Sequence, residues 1–464
     1  MVVSGAQRRP SNPRSRTAWD DSAGTPGLAA RRAAARLLAA VIDKKTPLDG
    51  LTDDEHGHPD YRALEPRDRG LVRAILATAL RFRMTISALI ESRLDRPLPA
   101  NATALAHILH VGAAQILFLD IPDSAAVNLA VVHAKADPRT ERFSGLVNGV
   151  LRELARRKDR ALPAALAGST DAPAWFVERL RAAYGPEQSR AILALHRAEA
   201  PTDFTVRSEP ERWAEAFGGF VLPTGSVRVP HLDRAVTELP GFADGQWWVQ
   251  DAAAALPARM LGDVAGRRVA DLCAAPGGKT AQLAAAGAAV TAVEASANRI
   301  RRLSSNLERL GLAAEIVEAD LTKYAPATLF DAVLLDAPCS STGTVRRHPD
   351  VPWTKSPDDI AKLAAVQARL LSRAADMVAP GGVLVFSNCS LDPAEGEDMV
   401  AAFLAERTDF SRDPVRAGEI AGADAFINAA GEIRTTPAGL AADDPSHAGL
   451  DGFFAARFRR IPPA

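Results

Sequence analysis

From Leu28 to Arg160 the apolar residues recur at helical spacing. Leu105, Ile108, Leu109, Gly112 and Ile116 fall three, four and seven residues apart, on one face of a helix. Similar stripes run through Arg31–Ile42, Asp68–Leu94, Ser124–Ala136 and Phe143–Ala155, and Asp123 is the expected N-cap of the third. The pattern predicts a bundle of five to seven helices. A Pro- and Ala-rich connector, Ala161–Pro173, follows. Residues up to 250 then mix helix (Trp175–Tyr184, Glu187–Ala198) with short apolar segments such as Phe204–Val206 and Trp247–Val249, and are read as a small adaptor subdomain. From Asp251 the rhythm becomes strand, loop, helix. Strands are predicted at Arg268–Leu272, Ala288–Val293, Ala314–Val317, Asp331–Leu335 and Val383–Ser387, with helices at Thr280–Ala286, Ala297–Leu310 and Pro357–Val378. Such alternation predicts a doubly wound α/β fold with a parallel sheet, whose ligands bind at the carboxyl ends of the strands.

Composition narrows the class. The 464 residues suffice for two or three domains, and 47% apolar with 24% charged residues is a globular balance. No run of about 18 apolar residues is found, so no membrane association is expected. The formal net charge of −1 hides an asymmetry: residues 1–160 carry 25 basic and 18 acidic side chains, and the remainder 30 and 38. A basic first part suggests a polyanionic partner. Residues 1–27 hold Arg8, Arg9, Arg14 and Arg16 without an apolar core, and Pro10, Pro13, Asp20 and Asp21 argue against a presequence; the segment is read as a disordered basic leader. Three cysteines, with no Cys-x-x-Cys pair, fit neither a disulfide framework nor a zinc finger, so a reducing cytoplasm is the expected location. None of the nine histidines falls at metal-ligand spacing, and no metal is expected.

The chemistry lies at the predicted strand ends. The first strand leads into Cys273-Ala274-Ala275-Pro276-Gly277-Gly278-Lys279-Thr280. Glycines at a strand-to-helix turn let a ligand approach the backbone. The end of this run matches a phosphate-binding loop, but Cys273 stands where that loop needs glycine, and Pro276 removes an amide. Glu294, 21 residues beyond Cys273, is positioned for ribose hydroxyls, and Asp320 for an adenine amino group. A nucleoside pocket with no loop built for polyphosphate points to S-adenosylmethionine. The fourth strand runs into Asp336-Ala-Pro-Cys339 and the fifth into Asn388-Cys389-Ser390. Carbon 5 of cytosine accepts a methyl group only after a nucleophile adds at carbon 6, and a thiolate is suited to add and to leave. Asp336 is available to hydrogen-bond the ring nitrogen. Cys273, by contrast, reads as packing.

These blocks are specific. Asp271–Thr280, Asp336-Ala-Pro-Cys-Ser-Ser-Thr-Gly-Thr-Val-Arg-Arg-His-Pro-Asp350 and Asn388-Cys-Ser390 resemble the signatures of the RNA cytosine-5 methyltransferases. Within them the chain is similar to the Fmu/Sun family, which modifies 16S ribosomal RNA and carries a NusB-like domain. Glu65-Pro-Arg-Asp-Arg69, Val147-Asn-Gly-Val-Leu-Arg152 and Asp451-Gly-Phe-Phe454 are similar to its landmarks. The resemblance implies a Rossmann-like class I methyltransferase domain (251–464) with a doubly wound, mostly parallel sheet. An all-α NusB-like RNA-binding domain (28–160) and the adaptor (161–250) would precede it. It implies Cys389 as nucleophile, Cys339 as the group assisting resolution of the adduct, and cofactor contacts from Cys273 to Lys279, Glu294, Asp320 and Asp336, with Arg299 a further candidate. Asn388 stands where Thr is usual, Gly396 where Asn is common, and Glu294 where Asp is frequent. A monomer acting on naked or early-assembly 16S ribosomal RNA is expected. Transfer RNA as substrate, or a non-catalytic ribosome assembly factor, are the alternatives. Lys279 at a helix start is expected to be paired, because a lone cation there opposes the helix dipole. Arg346, Arg347 and His348 are candidates for phosphates beside the target base.

Overall fold

A computed structural model describes residues 25–444 and 446–463. The leader expected over 1–27 lies outside the described residues, apart from its last three. The chain divides after Ser169 into two compact units, each described by itself.

The first unit is helical. Its longer helices span Leu28–Lys44, Pro66–Arg81, Arg83–Glu91, Thr103–Phe118, Asp123–Lys135 and Ser144–Gly168. Helix Thr103–Phe118 is buried nearly all round rather than along one stripe, as befits the centre of a bundle. A β-carbon at Gly112 would lie 2.6 Å from Leu151 Cδ1, so only glycine lets helix Ser144–Gly168 pack this closely. Gln115 and His110 on the central helix find partners within the bundle, whereas the buried Nδ1 of His107 has none among the described residues. Arg31 Nε donates to Gln115 Oε1 at 2.9 Å, and His110, its pKa pushed down to about 3 by burial, donates from Nδ1 to the Ala106 carbonyl.

Three expectations need correction here. The stripe over Asp68–Leu94 is two helices, broken at Phe82, whose ring stacks on Phe118 with centroids 4.0 Å apart. Asp123 is not an N-cap: the helix begins at Asp123 itself, after Pro122, and its carboxylate takes Lys158 Nζ at 3.0 Å. The connector does not start at Ala161, because the last helix continues through Pro163 to Gly168. Alanine and leucine dominate that stretch, and their propensity carries the helix past one missing amide.

The second unit opens with helical turns broken at Gly185 (φ 72), followed by a small antiparallel sheet ordered Phe220–Val221, Val227–Val229, Thr202–Val206, Trp247–Val249. Phe204, Trp213, Phe217 and Trp247 fill its core. Arg228 and Asp203, both fully buried, pair at 2.7 Å, and Arg228 also donates to the carbonyls of His447 and Gly449. Arg228→Met would strand the Asp203 charge, so unfolding in denaturant should show a loss of about 3–5 kcal/mol.

The main sheet has eight strands: β1 Arg268–Leu272, β2 Ala289–Glu294, β3 Glu315–Glu318, β4 Phe330–Asp336, β5 Val378–Asn388, β6 Phe410–Arg412, β7 Ile433–Thr435 and β8 Phe453–Arg460. They run in the order β6-β8-β5-β4-β1-β2-β3, with β7 also pairing β8. The five strands expected from the pattern are all parallel. β6 to β8 extend the sheet antiparallel and lay Phe454 opposite Asn388. Helices Gly278–Ala285, Ala297–Leu310 and Pro357–Asp376 connect the parallel strands, and apolar clusters cover both faces. The strand order reverses between β1 and β4, where a doubly wound sheet opens its crevice.

Candidate active site

The crevice is built by four loops. After β1, Cys273 turns the chain in a left-handed conformation (φ 63) and Gly277 does so again (φ 105) before helix Gly278–Ala285. A β-carbon at Gly277 would sit 2.6 Å from Leu303 Cδ1, so both conformation and space require glycine. Beneath the loop, buried Asp271 accepts from Thr280 Oγ1 at 2.6 Å, and burial pushes its pKa up to about 7. The Cys273 thiol packs against the core and is pushed up to about 12, mainly by burial, a value at which it is inert at neutral pH.

At the end of β4, Asp336 accepts from Lys279 Nζ (2.8 Å) and, through its other oxygen, from Ser387 Oγ (3.0 Å). Lys279 is thus paired, and its Nζ lies 4.8 Å from the centre of the Phe453 ring. The loops after β4 and β5 bring Cys339 Sγ and Cys389 Sγ to 3.4 Å. The Cys389 thiol is held below the usual thiol range by its hydrogen bond with Cys339, helped by Ser341 Oγ at 3.6 Å and by the charge of Lys279. Cys339 is raised well above that range, because donating to Cys389 favours its protonated form and burial adds to this. The pair therefore ionises at Cys389. Alkylation of Cys389, followed peptide by peptide, should have a pH midpoint below that of a free cysteine, and Cys339→Ala should move it upward.

A buried carboxylate that the pattern does not single out holds the two cysteine loops together. Glu395 accepts from Ser340 N (2.9 Å), Ser340 Oγ, Ser390 Oγ (2.6 Å) and Gln367 Nε2 (2.8 Å), while its carbonyl accepts from Asn388 Nδ2 (2.6 Å). Asn388, the departure from the usual threonine, also accepts from Ser390 N and so shapes the turn carrying Cys389. Only the side-chain contacts of a folded chain reveal this role.

Glu294 at the end of β2 accepts from the amides of Ala295 and Ser296, and Arg299 lies 3.1 Å from its Oε2. That Oε2 is buried with no aligned hydrogen bond, an acceptor left over for a ribose hydroxyl. Arg299 also donates to the Ala275 carbonyl, tying β2 to the glycine loop. Asp320 is exposed and bonded to Thr322 N and Oγ1, which lower its pKa. The arrangement fits an adenosine-bearing cofactor along the ends of β1 to β3.

A cavity of about 490 Å³ lies beside it, lined by Ala274–Lys279, Asp336, Cys389, Arg347, Phe453 and the segment Trp247–Asp251. Cys273, Glu294, Asp320 and Cys339 are outside this lining. The expectation for the basic loop is corrected: Arg346 is 1% exposed and faces Asp451 (3.3 Å) and Asp251 (3.7 Å), so it reaches no phosphate. Arg347 pairs with the same two acids at 3.0 and 2.7 Å while lining the cavity, and His348 is half-buried. Gln250 is a lining residue that sequence reasoning passes over. It accepts from Thr205 Oγ1 and Trp248 Nε1 and donates to Gln282 Oε1, which fixes the cavity wall. Among the described residues, no group of three or more His, Cys, Asp or Glu side chains is arranged to hold a metal, and no helix is long and apolar enough to cross a membrane.

Comparison with known proteins gives this geometry a family. Residues 258–459 match the model described as 16S rRNA methyltransferase RsmB/F, and residues 28–156 match the NusB family. Ribosomal RNA small subunit methyltransferase B of Pseudomonas syringae is 36% identical over 93% of this chain and 97% of its own length. The Vibrio cholerae protein of the same name is 34% identical over 84% and 92%. Among solved structures, PH0851 superposes with a TM-score of 0.69 at 21% identity, covering 94% of this chain and 99% of its own. A methyltransferase homolog from Pyrococcus horikoshii gives 0.50 at 25% identity, over 61% and 94%. The relatives span both units and the family model covers β1 to β8 almost completely: the chain is an RNA methyltransferase and belongs to the RsmB/F family.

Proposed function

We propose that the protein forms 5-methylcytosine in 16S ribosomal RNA through a covalent bond between Cys389 and carbon 6 of the target base. The observation that carries this is the pair of thiols 3.4 Å apart at the ends of neighbouring strands, one favoured as thiolate, beside the Lys279–Asp336 pair. The names of the relatives support ribosomal RNA as substrate.

S-adenosylmethionine, when bound, supplies an electrophilic methyl group. The loop Cys273–Lys279 and Glu294 would hold it, with Asp320 at the rim and Asp336 between cofactor and base. The Cys389 thiolate adds to carbon 6 and the electron pair of the 5,6 double bond moves to carbon 5, which becomes the nucleophile. Asp336, fixed by Lys279 and Ser387, meets the pyrimidine edge and stabilises charge on the ring nitrogen. Once carbon 5 is methylated, its proton leaves to a base and the Cys389–carbon 6 bond breaks, returning the thiolate. Cys339 assists that release from 3.4 Å. A base must leave its stack to reach Cys389, which favours unpaired RNA or an early particle.

The test is the product. Naked 16S RNA incubated with the protein and labelled cofactor, then digested to nucleosides, should carry the label in 5-methylcytidine. Label in another nucleoside, or in transfer RNA alone, would overturn the reading.

A further inference from the structure

Helix Ser144–Gly168 carries two glycines a turn apart, Gly145 and Gly149. Glycine is among the least favourable residues inside a helix. Packing does not demand either one, because a β-carbon at each would meet nothing within 4 Å. The bare face continues through Asn148, Arg152 and Arg156, which share it at helical spacing. Across from it runs Ser92–Asp95, and between them lies a cleft of about 540 Å³.

Of the three cations lining this cleft, Arg156 is paired with Glu153, while Arg93 and Arg152 are not consumed internally. Among the described residues the side chains of Arg93 and Arg152 have neither a hydrogen bond nor an ion pair, and Arg93 Nε is buried without a partner. The cleft's acids are Asp95 and Glu153, and Glu153 already meets both Arg156 (3.1 Å) and Arg157 (2.5 Å). What is left over is two free guanidinium forks beside the Asn148 amide, the Asp95 carboxylate and an uncovered stretch of helix.

We infer that this cleft grips the phosphate backbone of the RNA substrate; the inference rests on the reading of RNA as that substrate. Guanidinium forks match phosphate oxygens in pairs, and such contacts orient an RNA without reading its sequence. The Asn148 side chain is suited to phosphate oxygens or to 2′-hydroxyls, whereas Ser92 Oγ donates to the Leu89 carbonyl at 2.7 Å and can only accept, as from a 2′-hydroxyl. The glycines let the strand approach the helix without meeting side chains.

The test uses the full chain and naked 16S RNA, with binding measured across a salt series in the absence of cofactor. Arg93→Gln combined with Arg152→Gln should raise Kd about tenfold and reduce the log–log salt slope by about 1 to 2. Gly149→Gln keeps every charge and improves helix propensity, so its melting temperature should hold or rise while RNA affinity falls. That variant decides the matter if the double variant folds poorly. Unchanged affinity and salt slope in the folded variants would overturn the inference. If the wild-type chain makes 5-methylcytidine while both variants bind as it does, this inference alone fails. If it binds RNA through the cleft without making that product, the proposed function alone fails.

Discussion

Replacing Cys389 by alanine is expected to lower methylation of 16S RNA by more than about a thousandfold while leaving the fold intact. The side chain is small and half-buried, and among the described residues its hydrogen bonds are to the neutral partners Cys339 and Ser341, so its removal leaves no charge stranded. What disappears is the thiol held below its usual range that lines the crevice. Cofactor affinity should persist, because the candidate cofactor residues lie on the loop after β1 and at the ends of β2, β3 and β4, and Asp336 is held by Lys279 and Ser387 rather than by Cys389. Retained methylation with an unchanged product would mean that carbon 5 is activated without Cys389.

Cys339→Ala is expected to behave differently, and the contrast carries more information than either result alone. Cys389 remains and can still attack, although it loses its principal hydrogen-bond donor and its pKa rises. Attack should therefore need a higher pH, while release of the methylated base becomes slow. A protein–RNA adduct should accumulate and survive a denaturing gel. Cys389→Ala and the double variant should form none. An adduct in Cys389→Ala but not in Cys339→Ala would exchange the two roles.

How far the sequence reveals this arrangement depends on the range of the forces involved. The five parallel strands and their helices are visible because each carries a short apolar run, buried in all but the partly exposed β3, and the glycine loop because its residues are contiguous. β8 is harder to see: Phe453-Phe-Ala-Ala-Arg-Phe-Arg-Arg460 has no clean alternation, since its first six residues are buried by neighbours on both sides. The break at Phe82 and the course of the helix past Pro163 depend on a tertiary ring stack and on summed propensity, neither of which periodicity records. Arg346 shows the same limit at the site. A basic triplet in a loop reads as a surface, yet Asp251 and Asp451, 200 positions apart, meet it in the interior. Glu395 is the clearest case, because its four donors converge only once two strands lie side by side.

The covalent role of Cys389 can be tested directly with RNA carrying 5-fluorocytidine at the target. Fluorine at carbon 5 cannot leave as a proton does, so the thiol bond to carbon 6 should persist after methyl transfer. Digestion of the trapped complex and mass spectrometry of its peptides should find the methylated fluoropyrimidine on Cys389. A nucleotide on Cys339 or Cys273, or a methylated RNA recovered with no adduct, would contradict the account.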